Sequence, residues 1–258
     1  MTLISDNSET LVYREDANGI ATITLNRPHV LNALSPDLFK ELRALITSIK
    51  DDENNIGVVI IRGAGRAFSA GNDLGSIAKG EQAPSKYFQS ETIDALEDLP
   101  QPVIASVKGA CYTGALELML AADLVIASDN AVFCDTHAPF SLTPLWGMTK
   151  RLPLRIGPAA AKEMMYTGKQ VLAEEALKIG LINRIVKNGD LADETTIWAE
   201  QIAANSWHTL REDKRLLNDG LNYFYKEGLV FERTTSLGPG ADMGERLDKL
   251  GPKAKKKK

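Results

Sequence analysis

Glu117 sits one turn into "GALELMLAADLVIAS" (114 to 128), a segment that is apolar almost all round. A carboxylate among Leu116, Leu118, Met119 and Leu120 loses hydration, which is costly unless the group is neutralised or paired. Burial also raises a carboxyl pKa toward the range useful for general acid–base work. A first-turn carboxylate favoured by the helix dipole or by capping is the structural alternative. The surrounding leucines favour chemistry.

Two short loops bring small residues that suit a partner role. Ala70-Gly71 follows the apolar run "GVVIIRG" (57 to 63), and Gly114 opens the helix that carries Glu117. A first-turn N–H has no intrahelical acceptor and carries the positive end of the dipole. Paired with an N–H from the 70–71 loop, it would stabilise one developing oxyanion. Without further support these glycines would be read as turns only.

His137 ends the stretch "NAVFCDTHAPF" (130 to 140) and is one of three histidines in the chain. An imidazole gives or accepts a proton near neutral pH, although it lacks a carboxylate's charge and its two acceptor oxygens. Asp135 would orient the ring, or would cap the turn beside Thr136. A lone loop histidine is otherwise a hydrogen-bonded bystander.

The elements that must position these residues follow from periodicity. Residues 10 to 28 predict two strands around an Asn18-Gly19 turn, ended by Pro28. Ser35-Pro36 starts a helix with Leu38, Leu42, Leu45, Ile46 and Ile49 on one face. Buried strands are expected at 57–63, 102–109 and 124–127, with a helix over about 84–98 and the apolar helix over 114–122. Beyond residue 150 only "INRIV" (182 to 186) reads as strand, among helices at about 147–156, 158–166, 173–180, 190–205, 208–219 and 221–235. Strands alternating with helices indicate an α/β fold with a C-terminal helical region.

Composition narrows the classes further. The 258 residues are 44% hydrophobic and 25% charged, as in an ordinary globular protein large enough for a sizeable core. Cys111 and Cys134 form no CxxC pair, so neither a disulfide framework nor a structural metal is expected. No run approaches a membrane span and no signal layout is visible, so a cytoplasmic protein is expected. The tail "KAKKKK" holds five of the 30 basic residues, leaving 25 against 34 acidic ones, or −9, for the rest. Such an acidic body argues against a nucleic-acid surface, and the tail reads as a disordered end.

In combination, "ITLNRPHVLNAL", "GAGRAFSAGNDL", "QPVIASVKGACYTGALELMLAADLVIAS", "AVFCDTHAPFSL" and "GKQVLAEEALKIGLINRIV" resemble the enoyl-CoA hydratase/isomerase (crotonase) superfamily over roughly residues 10 to 240. The resemblance implies a spiral of ββα units over 1–200, a helical region over 201–250 that packs trimers or hexamers, and a lysine-rich tail at 251–258. It implies an acyl-coenzyme A thioester as ligand, with no separate cofactor. The thioester oxygen would be held by the N–H groups of Ala70 and Gly114. Arg27, Val30, Leu31, Ala33, Gly71, Asn72, Asp73 and Leu74 would line the coenzyme A pocket.

Hydratases of this family use two glutamates. The first matches Glu117, and the second position falls on His137, so the histidine stands where a carboxylate is expected. Tyr112 and Thr113 replace part of a glycine-rich turn, while Leu145 and Trp146 narrow or reshape the acyl pocket. The leading expectation is hydration of a trans-2-enoyl-CoA, with isomerisation, decarboxylation or thioester hydrolysis on the same scaffold as alternatives. A subunit that only assembles is a further one, and RNA binding is disfavoured because the acids in the first helix dilute Lys40, Arg43 and Lys50.

Overall fold

A computed structural model describes residues 10–250. The lysine-rich tail expected to be disordered lies outside the described residues. The main sheet begins with a hairpin of β1 (Val12–Ala17) and β2 (Ile20–Leu25), joined by Asn18 and Gly19 at φ 53° and 76°. Positive φ at both central positions is what a tight hairpin turn with the strands' own twist requires. β3 (Val58–Gly63), β4 (Val103–Val107), β6 (Leu124–Ser128) and β9 (Arg184–Val186) then add in parallel, giving the order β1-β2-β3-β4-β6-β9.

Alternation along these strands feeds two layers. Val59, Ile61, Val103 and Val125 join the large core, and Val58, Ile60, Ile104 and Ile126 face a smaller cluster on the other side. α1 (Pro36–Asp51) belongs to the first layer. Its Ser35 hydroxyl accepts the N–H of Leu38, Pro36 occupies the first turn, and Leu38, Leu42, Ile46 and Ile49 are buried. α8 (Leu191–Ala203) covers the opposite face with Leu191, Trp198 and Ala199, so the division expected at residue 200 falls inside a helix that packs on the sheet.

A second, three-stranded sheet is formed by β5 (Ala110–Tyr112), β7 (Val132–Cys134) and β8 (Val171–Leu172). The strand expected over 102–109 stops at Val107. Gly109, at φ 55°, then turns the chain into β5, and a side chain there would collide with the carbonyl of Arg66. This break moves the chain from one sheet to the other just before the functional loops. Register does the rest.

β5 and β7 are parallel with Tyr112 opposite Cys134, and Ser69 bridges Cys111 in the same parallel sense. Three segments therefore run side by side and end together. The loops that follow them carry residues 70–73, 113–114 and 135–137.

The remaining helices are α2 (Leu74–Ala78), α3 (Phe88–Glu97), α4 (Gly114–Leu120), α5 (Met148–Ile156), α6 (Pro158–Thr167), α7 (Ala173–Lys178), α9 (Trp207–Gly220), α10 (Tyr225–Thr235) and α11 (Met243–Leu250). α2 and α11 were not expected from the sequence. Among the described residues no helix is long and apolar enough to cross a membrane.

Candidate active site

α4 is buried along its whole length, and Glu117 is 1% exposed. Its carboxylate is not left bare. Oε1 accepts the backbone N–H of Trp146 at 3.0 Å and of Met148 at 3.1 Å. Oε2 accepts no hydrogen bond among the described residues and lies 3.9 Å from Nε2 of His137. Burial drives the Glu117 pKa up, opposed in part by the Met148 N–H, by His137 and by the Trp146 N–H. One oxygen anchors the group and the other is available for proton transfer.

The loop that grips Oε1 is itself clamped. Gly147 stands at φ 106°, which favours glycine, and the Arg151 guanidinium donates to the Trp146 carbonyl at 2.9 Å. Arg151 also pairs with Glu97 and Asp94. Arg151 and Met148 are site-building residues that the sequence reading missed. Their signal is weak, since a basic residue in an amphipathic helix is ordinarily a solvated one.

His137 is held from the far side of its ring. Nδ1 lies 2.6 Å from Oδ1 of Asp135, whose side chain is fully buried, while His137 itself is 8% exposed. Burial pulls the imidazole toward its neutral form. The Asp135 hydrogen bond and the negative charges of Asp135 and Glu117 outweigh it and leave the pKa raised. The sequence had left open whether Asp135 orients the ring or caps the turn. It does both, because Oδ1 also accepts the His137 backbone N–H at 3.1 Å.

Gly114 lies where expected, at the first position of α4, and its N–H has no acceptor among the described residues. The expected partner requires correction. The N–H of Ala70 is committed to the Leu31 carbonyl at 2.9 Å, and that of Gly71 to the Ser69 hydroxyl at 3.1 Å. The free N–H in this loop belongs to Asn72, whose nitrogen lies 3.4 Å from where a β-carbon on Gly114 would stand. The free N–H groups here are thus those of Asn72 and Gly114, where those of Ala70 and Gly114 were expected.

The loop is positioned by Asn32 and Ser69, which sequence reasoning passed over, together with Arg27 and Asp73. Asn32, fully buried and at φ 55°, sends its amide to the carbonyls of Ala64, Ala67 and Phe68, and its oxygen accepts the Arg27 N–H. Ser69 donates to the Asn32 carbonyl at 2.7 Å. Arg27 donates to the Ala33 carbonyl and pairs with Asp73, both at 2.6 Å. Asp73 in turn accepts the N–H groups of Gly75 and Ser76 and so starts α2. Arg27 and Asp73, two residues expected along a coenzyme A pocket, therefore spend their charges on each other.

On the other flank Thr113 adopts φ 50°, unusual for a β-branched residue. Its hydroxyl pairs with that of Thr136, and its N–H donates to Cys134. These bonds tie the turn before Gly114 to the turn before His137. Trp146 fills the space where a Gly114 side chain would point and packs edge-on against Phe39, with centroids 5.1 Å apart. Tyr112 approaches the neighbouring loop through its carbonyl, 2.5 Å from where a β-carbon on Gly71 would stand. Val30 and Leu74 are exposed, and Leu31 lies at φ 53° in the turn that receives Ala70.

Free N–H groups beside a buried carboxylate and an imidazole are equipped to polarise a carbonyl and to move protons next to it. Known proteins place this arrangement. The family model for enoyl-CoA hydratase/isomerase matches residues 15–236. A short-chain-enoyl-CoA hydratase of Clostridium acetobutylicum is 31% identical over 86% of this chain and 86% of its own. A crotonyl-CoA hydratase of Syntrophomonas wolfei is 32% identical over 81% and 82%. The crystal structure of an enoyl-CoA hydratase from Bacillus anthracis superposes with a TM-score of 0.88 at 33% identity, covering 95% of this chain and 96% of that one. The chain belongs to the enoyl-CoA hydratase/isomerase family.

Proposed function

We propose that the protein is an enoyl-CoA hydratase that adds water across the double bond of a trans-2-enoyl-CoA thioester. The carrying observation is the free Oε2 of Glu117 facing Nε2 of His137, beside the unpartnered N–H groups of Asn72 and Gly114. The two N–H groups hold the thioester oxygen and stabilise the enolate-like charge that develops on it. One such donor is worth about 3 kcal/mol in the transition state.

Glu117 takes a proton from water through Oε2 as the water oxygen bonds to the β-carbon. The His137 imidazolium delivers its Nε2 proton to the α-carbon. Relatives at 31–33% identity that are named as hydratases support this reading. The segments around Arg27–Ala33 and Gly71–Leu74 accommodate the coenzyme A portion chiefly through their backbone. A homo-oligomer, trimer or hexamer, is the assembly expected for such a chain.

Purified protein incubated with crotonyl-CoA tests the reading. Loss of the enone absorbance with a product heavier by one water supports it. A product of unchanged mass would replace hydration with isomerisation.

A further inference from the structure

His137 and Asp135 make a pairing that hydration with two carboxylates does not require. Asp135 is fully buried, its Oδ1 is 2.6 Å from Nδ1 of His137, and its Oδ2 is buried without a hydrogen-bond partner among the described residues. A turn alone would account for Oδ1, which also accepts the His137 backbone N–H. It would not account for a whole carboxylate sealed from water with one oxygen unpaired, because such a charge is costly unless a cation or a strong donor faces it. Among the described residues, the only such group against it is the His137 ring.

We infer that Asp135 is a positioning residue for proton transfer: it keeps a proton on Nδ1 of His137 and thereby aims Nε2 at the reacting carbon and at Oε2 of Glu117. This assignment rests on the hydratase reading for its chemistry, but the geometry belongs to the folded protein alone. A carboxylate on one ring nitrogen fixes the tautomer and stabilises the imidazolium, as in other base–orienter pairs.

The proton balance is complete without an added reagent. Water gives its proton to Glu117, and His137 gives its Nε2 proton to the α-carbon. After product leaves, a water that enters the 3.9 Å gap takes the proton from Oε2 of Glu117 as it gives one of its own to Nε2 of His137, restoring both groups. Asp135 takes no part in these transfers. The charged groups facing the ring are Asp135 from its own loop and Glu117 from α4.

The test compares wild type with Asp135→Asn and Asp135→Glu, each checked for a native melting transition. Two readouts are taken: kcat and KM on crotonyl-CoA against pH, and nitrogen NMR of the imidazoles, which a chain with three histidines makes resolvable. Asp135→Asn keeps size and an acceptor oxygen but removes the charge. It is expected to lower kcat about a hundredfold with KM nearly unchanged, and to move the alkaline limb down by about one pH unit. Asp135→Glu is expected to restore the limb's position.

In NMR, neutral His137 is expected to carry its proton on Nδ1 in wild type, and its titration to fall in Asp135→Asn. An unmoved limb and titration in Asp135→Asn, or a proton on Nε2 of the neutral wild-type ring, overturns the assignment. If wild type does not hydrate crotonyl-CoA, the reaction reading fails, and the NMR titration still decides the role of Asp135.

Discussion

The carboxylate of Glu117 and the imidazole of His137 face each other across 3.9 Å, each anchored from behind by a different part of the chain. Backbone N–H groups of Trp146 and Met148 hold the first, and Asp135 holds the second. Each anchored group keeps one reactive atom turned toward the shared space. The gap is too long for a direct hydrogen bond and suits a reacting group between them.

Replacing Glu117 by Gln keeps its size and its place among the leucines but removes the base. Its oxygen still accepts from Trp146 and Met148, so coenzyme A thioester binding is expected to persist. Turnover is expected to fall by at least about a hundredfold, the usual worth of a positioned base. Parallel measurement of kcat and of thioester affinity by calorimetry checks this, and retained turnover would remove Glu117 from the mechanism.

The pH–rate profile follows from two shifts of the same direction. Burial raises the Glu117 pKa, and the reaction needs that group ionised, so the acid limb should lie above the range of an exposed glutamate. Asp135 and Glu117 raise the His137 pKa against its burial, and the reaction needs that group charged, so activity should fall as pH rises through a value above that of a free histidine. A kcat/KM profile that keeps rising through the alkaline range would contradict the assignment of His137 as acid.

In the proposed reaction Asn72 acts through its backbone, so its side chain and its N–H make separable predictions. Asn72→Pro removes the donor and is expected to cost about a hundred- to a thousandfold in kcat. Asn72→Ala keeps the N–H and is expected to lose at least about tenfold less. Equal losses in the two variants would return the role to the side chain, and circular dichroism would exclude global unfolding as the cause.

Gly114 and Trp146 are coupled by space. A β-carbon on Gly114 would run into the Trp146 ring, so Gly114→Ala should displace either the indole or the oxyanion donor. A double-mutant cycle of Gly114→Ala and Trp146→Ala on kcat/KM should be non-additive by about 1 kcal/mol or more, as for residues in direct contact. Trp146→Ala alone should raise the relative rate on longer enoyl chains, and an unchanged chain-length preference would detach the indole from the acyl pocket.

Much of this site can be read from residues whose neighbours in sequence are also their neighbours in space. The Asn18-Gly19 hairpin, the Ser35-Pro36 start of α1 and the buried α4 with Glu117 are local features, set by turn chemistry, capping and apolar surroundings. Long-range pairing is different. β7 is three residues and β8 two, too short for any periodicity, and they are defined by long-range pairing in the order β5-β7-β8, with β5 entered through the turn at Gly109.

The expectation of a free N–H at Ala70 failed for the same reason. Small residues at 70 and 71 marked the loop correctly, but which N–H is free depends on the Leu31 carbonyl arriving from another turn. The grip of the Trp146–Met148 loop on Glu117 was invisible for a similar reason, since it consists of backbone donors that any residue type supplies. His137 was put by the resemblance where a second glutamate is expected. Its dependence on Asp135 required the side-chain geometry.

The most direct test of the whole account is the reaction in water enriched in heavy oxygen, with crotonyl-CoA as substrate and mass analysis of the thioester product and its fragments. Hydration through Glu117 and His137 predicts one heavy oxygen on the β-carbon of an intact coenzyme A thioester, lost in Glu117→Gln. Heavy oxygen in a released carboxylate, or a product with none, would contradict it.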